Sequence, residues 1–185
     1  MNAEPFVGVR GFRLTSELVL GSLIMPLFWE HAEVGPAVCY ARPTDGEIGK
    51  WQAARDPAIP EHEAPREGCR CGFGAYHPAA LGQSVPNIES ATVAAVVIGY
   101  GMVLPGTRGW RSSHARIMAL ILPDLVTSPT MYLRPPPASA PADVLRAVAE
   151  RYGVPAVRRS EVRELASEFG QVLPWLPDEV GRMWK

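Results

Sequence analysis

The stretch TVAAVVIGYGMVLPGTRGWRSSHARIMALIL, Thr92 to Leu122, decides the fold. Val and Ile dominate Thr92 to Val103, and Ile117, Met118, Leu120 and Ile121 carry the same character through Arg111 to Leu122. Branched side chains are stiff at χ1 and pack well on a pleated surface, so both runs read as strands. Between them, Pro105-Gly106-Thr107-Arg108-Gly109 has turn chemistry. The pair predicts a long antiparallel hairpin. Apolar residues occupy both parities through Val93 to Ile98 and through Ile117 to Leu122, which predicts central strands covered on both faces. Gly99 and Gly101 predict a bend or bulge, as in a small curled sheet.

Toward the N-terminus, Phe6 to Leu14 alternates apolar and polar residues, and Glu17 to Leu20 follows a Thr15-Ser16 turn, giving an opening hairpin. Ala37 to Arg42 predicts a third strand carrying Cys39. Pro43 to Gly68 is polar, proline-rich and without period. A loop that long in a compact domain is functional, mobile or pinned by something other than an apolar face. It leads into Cys69-Arg70-Cys71-Gly72.

Toward the C-terminus, Pro135-Pro136-Pro137 makes a stiff extended spacer and the best internal boundary. Ser139 to Asp143 has helix-start chemistry. Val144, Leu145, Val148 and Tyr152 form an apolar stripe that Gly153 and Pro155 end. Val154 to Val157 is strand-like. Ser160 is placed to cap a second helix whose Val162, Leu165, Ala166 and Phe169 keep helical spacing up to Gly170, and a last short helix is expected from Pro177. The fold class is therefore α+β. A β-rich body over 1–134, a curled antiparallel sheet or partial barrel with a long loop at 43–68, carries a small helical lobe over 138–185. The two form a single integrated unit, since neither helix buries its stripe alone.

Composition excludes several classes. Of 185 residues, 47% are apolar, enough for a core, while 19 prolines and 17 glycines rule out a long helical bundle, a coiled coil or a helical solenoid. Eighteen basic and nineteen acidic residues give a net charge of −1, so no overall field favours nucleic acid or an anionic membrane. The bases are arginine except for Lys50 and Lys185, which reads as the coding bias of a GC-rich genome. The N-terminus lacks the charged start, apolar run and cleavage site of a signal peptide, and Ala91 to Leu104 is too short and glycine-broken to span a bilayer. A cytoplasmic protein is expected. Three cysteines in such a chain argue against a disulfide framework and leave thiols for metal, reactivity or the core.

The densest set of soft and imidazole ligands is Cys39, His62, Cys69, Cys71 and His77. Zinc takes four nitrogen or sulfur ligands in a tetrahedron, and Cys39, His62, Cys69 and Cys71 would supply a closed Cys₃His set, with His77 the alternative to His62. Gly72 and Gly74 would let the backbone turn around the ion. Against this, C-x-C is shorter than the usual knuckle, and Cys39 also fits as a core thiol with Cys69 and Cys71 as plain loop residues. A catalytic thiol is a further reading: Arg70 would depress Cys69, with His62 or His77 as base, though no oxyanion site is visible. Glu61 and Glu63 flank His62, either orienting its ring and supporting it from outside a metal's ligand set, or as solvated loop acids. No nucleophile elbow, phosphate loop, zincin or dinucleotide fingerprint occurs.

If Arg108 to Arg116 is a strand, Arg108, Trp110, Ser112, His114 and Arg116 share one face. With Arg111 beside them they form a cationic, aromatic surface suited to an anion or a base; the competing reading is a solvated sheet face. Arg158, Arg159 and Arg163 open the second helix, but the segment before it is too long for a helix-turn-helix corner.

In order, Gly11-Phe12-Arg13-Leu14, His62-Glu63-Ala64-Pro65, Cys69-x-Cys71-Gly72-Phe73, Gly109-Trp110-Arg111-x-x-x-Ala115-Arg116 and Val148-Ala149-Glu150-Arg151-Tyr152-Gly153-Val154-Pro155 resemble a group of small uncharacterised proteins of GC-rich bacteria and their phages. The resemblance spans most of the chain and implies one integrated unit. It carries over no catalytic residue. The expectation is a non-enzymatic cytoplasmic binding or adaptor protein with a protein partner, no membrane, and a structural zinc clamping the 43–71 loop. The alternatives are a nucleic-acid-associated regulator using the Arg108–Arg116 face and a thiol-dependent enzyme.

Overall fold

The computed structural model describes residues 4–23, 27–39, 62–69, 71–82, 91–123 and 140–174. Most of the expected long loop, the triple proline and the helix expected from Pro177 lie outside the described residues.

The hairpin forms as its composition dictates. Strand β6 (Val93–Pro105) pairs antiparallel with β7 (Gly109–Leu122), from Ala94↔Ile121 to Pro105↔Trp110. Side chains alternate between two cores, Val93, Ala95 and Val97 entering one and Ala94, Val96 and Ile98 the other. Two register shifts interrupt the ladder. Val96 faces Ala119 while Val97 faces Ile117, so Met118 is an extra residue of β7. An extra residue reverses the parity of the strand, which is how Ile117 and Leu120 enter one core and Ala119 and Ile121 the other. The second shift falls between Tyr100 and Val103, where Gly101 takes φ +74° and a Cβ would overlap Ser113 Oγ. Gly99, by contrast, is where the Trp110 ring rests against the backbone.

The rest of the sheet curls around this pair. Strand β1 (Phe6–Leu14) follows β6 from Phe6↔Gly99 to Phe12↔Val93. After it, β2 (Leu20–Ser22) returns along β1, β3 (Phe28–Trp29) adds to β2, and β4 (Glu33–Val34) pairs with β7. Strand β5 (Phe73–Tyr76) runs along β7 from Phe73↔Ser112 to Tyr76↔Gly109 and meets β1 at Val9↔Tyr76. The circuit β1, β6, β7, β5 and back to β1 is closed, so the body is a small barrel. Where β1 passes from β5 to β2, the Arg10 side chain fills the seam, donating to Gly74 O and, at 3.2 Å, to Ser22 Oγ. Burial lowers the Arg10 pKa to about 10.

Two early strand expectations are corrected. The second strand begins at Leu20 and not at Glu17, because Thr15 to Val19 is a turn: Thr15 N–H donates to Val19 O at 3.0 Å and Val19 N–H to Thr15 Oγ1 at 3.1 Å. Ala37 to Cys39, the described part of the expected third strand, is irregular. Pro36 has no N–H for a ladder, and the two-residue β4 takes the place beside β7.

The C-terminal segment is woven into the same sheet. Helix α1 (Ala142–Tyr152) buries Leu145, Val148, Ala149 and Tyr152 against the barrel core that holds Phe12, Trp29 and Trp110. Tyr152 Oη donates to Trp29 O and accepts from Leu20 N–H at 2.9 Å, tying α1 to β2 and β3. Strand β8 (Ala156–Arg158) then pairs parallel with β7, from Leu120↔Ala156 to Leu122↔Arg158. The sheet is therefore mixed and not purely antiparallel. Helix α2 (Val162–Phe169) places Val162 and Ala166 in the second core, beside Val7, Val9 and Val96. Ser160, the expected cap, sits inside a preceding 3₁₀ turn, and Glu161 Oε2 instead accepts the Arg158 N–H at 2.7 Å. The two helices thus cover opposite faces of the sheet.

Candidate metal centre

Cys39, His62, Cys69 and Cys71 come together at one side of the barrel, their ligand atoms all within 4.8 Å of one another. Cys39 Sγ lies 3.6 Å from Cys69 Sγ, and His62 Nε2 lies 3.3 Å from Cys71 Sγ. Around a tetrahedral zinc, metal–ligand distances of ~2.3 Å to sulfur and ~2.0 Å to nitrogen set ligand–ligand edges of roughly 3.5–3.8 Å. The Cys39–Cys69 edge falls in that range and the His62–Cys71 edge just below it, so the four donors are close enough together that they could hold an ion. All three cysteines are free. His77 is elsewhere: fully buried, with Nε2 2.8 Å from Gly106 O, it does not take the place of His62.

Local chemistry explains how a short C-x-C serves. Arg66 to Cys69 form a turn closed by the Cys69 N–H on Arg66 O at 3.2 Å. Just beyond Cys71, Gly72 takes φ +100°, and a Cβ there would stand 2.9 Å from Pro65 Cβ and 3.1 Å from Ser112 O. Only glycine lets the chain fold back so close to β7. Gly74, expected to help that turn, lies in β5 instead. The Arg111 guanidinium then grips both cysteine carbonyls, Nη1 donating to Cys69 O and, at 3.1 Å, to Cys71 O. Phe73, the first residue of β5, is anchored in the core, so one end of the centre rests on rigid sheet.

The thiols share their protons unequally. Burial, together with hydrogen bonding and charge from Cys69, pushes Cys39 up to about 12. Burial works against Cys69 as well, but the Cys71 N–H and hydrogen bonds from Cys71, Cys39 and His62 hold it down to about 7. Burial and Cys69 push Cys71 up. Thiolates bind a cation in place of their protons, so a set of thiols sharing hydrogen bonds in this way could hold one. Cys71 is buried, while Cys39, His62 and Cys69 are half-buried. Glu63 is exposed beside His62, and Glu61 and Arg70 lie outside the described residues.

The residues expected to form a cationic face do not share one. Trp110 is buried in the barrel core, and Ser112 is buried with Oγ donating to His114 O at 2.6 Å. Arg111 is turned to the cysteine carbonyls. His114 stacks on Tyr100 at 5.4 Å and 26°, with Nδ1 3.0 Å from Ser113 Oγ. Arg116 is exposed and Arg108 half-buried. Simple alternation fails because the burial parity of β7 changes between Ser112 and Ala115, opposite the irregularity at Gly101 and Met102. Sequence reading missed the Arg111 clamp, which joins positions 42 and 40 residues apart and leaves no local pattern.

Among the described residues, no helix is long and apolar enough to cross a membrane. Comparisons with protein-family models, curated proteins and solved structures find no match to this chain.

Proposed function

We propose that the chain is a non-enzymatic cytoplasmic binding protein of adaptor type, in which a structural zinc ion held by Cys39, His62, Cys69 and Cys71 clamps the segment between them to the barrel. The observation that carries this reading is the convergence of four soft or imidazole donors within 4.8 Å. Thiolate and imidazole select zinc over hard cations. A Cys₃His set fills the tetrahedron and keeps no open position for water or substrate, the mark of a structural site and not a catalytic one. Three thiolates and one divalent ion leave a negative charge, which the Arg111 guanidinium beside Cys69 and Cys71 offsets. A reduced Cys₃His set also fits a reducing compartment.

Support for a protein partner comes from what the clamp presents. Val38, next to the ligand Cys39, is 53% exposed, and Met102 at the β6 bulge is 45% exposed. Their segments meet at Ser113, whose carbonyl accepts the Ala37 N–H at 2.7 Å and whose Oγ accepts the Met102 N–H at 3.0 Å. An apolar spot beside a fixed centre suits a protein surface.

Metal analysis of protein purified without added zinc tests the reading. About one equivalent of zinc per chain is expected, with a clear fall in melting temperature on chelation and loss of the metal in Cys69→Ser and Cys71→Ser. Less than about a tenth of an equivalent, with no change in melting on chelation, overturns it.

A further inference from the structure

We infer that the centre is a redox-exchangeable clamp: a peroxide joins Cys39 to Cys69, releasing the metal while the segment between them stays tied. The inference rests on the metal reading above and adds the regulation of that site. Its ground is that the three thiols are not equivalent. Cys39 Sγ and Cys69 Sγ are 3.6 Å apart, and both residues are half-buried, within reach of a small oxidant. Cys71 is only 8% exposed, and its sulfur lies 3.3 Å from His62 Nε2. A disulfide of ~2.05 Å needs the first two sulfurs to close by roughly 1.5 Å. Both lie in backbone outside any strand or helix, Cys39 in the irregular segment after Pro36 and Cys69 at the end of a turn, so neither is held in a ladder that would resist the movement.

The chemistry balances without a further reagent. One of the two thiolates attacks an oxygen of hydrogen peroxide; an S–O bond forms, the O–O bond breaks and hydroxide leaves. The other thiolate attacks that sulfenic sulfur, the S–S bond forms and a second hydroxide leaves. Two electrons pass from sulfur to peroxide, and the metal departs as the divalent ion it was. His62 and Cys71 remain, two ligands where a structural site needs four. The disulfide closes the chain over the 30 positions that separate Cys39 and Cys69, the span the metal had closed.

Two arms on the full chain test this. In the first, chelated metal-free protein is treated with hydrogen peroxide and its non-reduced digest is mapped by mass spectrometry. In the wild type Cys39–Cys69 is expected as the dominant link, at least about ten-fold over either pair containing Cys71; in Cys71→Ser the same link is expected at undiminished yield; both are reversed by a thiol reductant. A dominant link through Cys71, or over-oxidation without a link, overturns the proposal. In the second, zinc-loaded protein is oxidised beside a chromogenic zinc indicator, with one zinc released per Cys39–Cys69 link expected; a link formed with zinc retained overturns the exchange. A chain that never takes up zinc fails the metal reading and with it the release, whereas the first arm reports on the thiol pair by itself.

Discussion

His77 shows how burial alone gives a residue a pH signature. Its side chain is wholly inside, Nε2 donates to Gly106 O at 2.8 Å, and Nδ1 has no partner among the described residues. Burial lowers its pKa, and the bond to Gly106 only partly opposes this. A histidine depressed in the folded state binds fewer protons than its unfolded counterpart, so stability is full above the unfolded value of ~6.5 and falls as pH drops below it, by at most about 1.4 kcal/mol per pH unit. Denaturant melts at pH 7 and pH 5.5 should therefore show a larger loss in the wild type than in His77→Gln, whose amide can still donate to Gly106. Equal losses would reject the assignment. None of this was legible in the sequence, where His77 stood as an alternative metal ligand. The four donors that cluster were legible as candidates, because thiol and imidazole chemistry belongs to the residue type. That Arg111 serves Cys69 and Cys71 was not, because those contacts cross 42 and 40 positions.

Elements were readable where a pattern is local and strong. The hairpin over Val93 to Leu122 follows from branched residues on both parities, and helix α1 from the spacing of Leu145, Val148 and Tyr152, residues it buries in the barrel core. Leu145 is 1% exposed there, so Leu145→Ala should cost about 2–5 kcal/mol, read as a lower midpoint in urea at unchanged slope. A cost under about 1 kcal/mol would mean that α1 does not cover the barrel. Short elements were misread for a physical reason: two or three residues carry too little periodicity, so Thr15's hydroxyl and Pro36's missing N–H decide where β2 starts and where the sheet stops. Bulges decided the face of β7. Alternation extrapolated from Arg108 put Trp110 and Ser112 on a binding face, whereas both are buried.

At the scale of the molecule, closure of β1, β6, β7 and β5 makes two cores, one inside the barrel and one on its outer face, and the C-terminal segment covers each with one helix. Strand β8 lies between them on β7, and Val7 N–H donates to Gln171 O at 2.9 Å, so the ends of the described chain are tied together. A chain ended at residue 134 loses α1, β8 and α2 and exposes both cores. It should melt without a cooperative transition and bind a hydrophobic dye at 25 °C; a sharp melt like that of the full chain would show that the barrel stands alone.

What the sequence determined by itself is what short-range chemistry dictates: an α+β chain, its central hairpin, the apolar stripes of its two main helices, and a donor set fit for a soft metal. Tertiary structure alone decided that the sheet closes, that β8 joins it in parallel, that Trp110 is core, and that Cys39 reaches Cys69 across 30 positions. The reason is one of range. Local pattern fixes backbone preference and which side of an element is apolar, whereas pairing between distant segments depends on how all those apolar sides can be buried at once, a sum that no window of sequence contains.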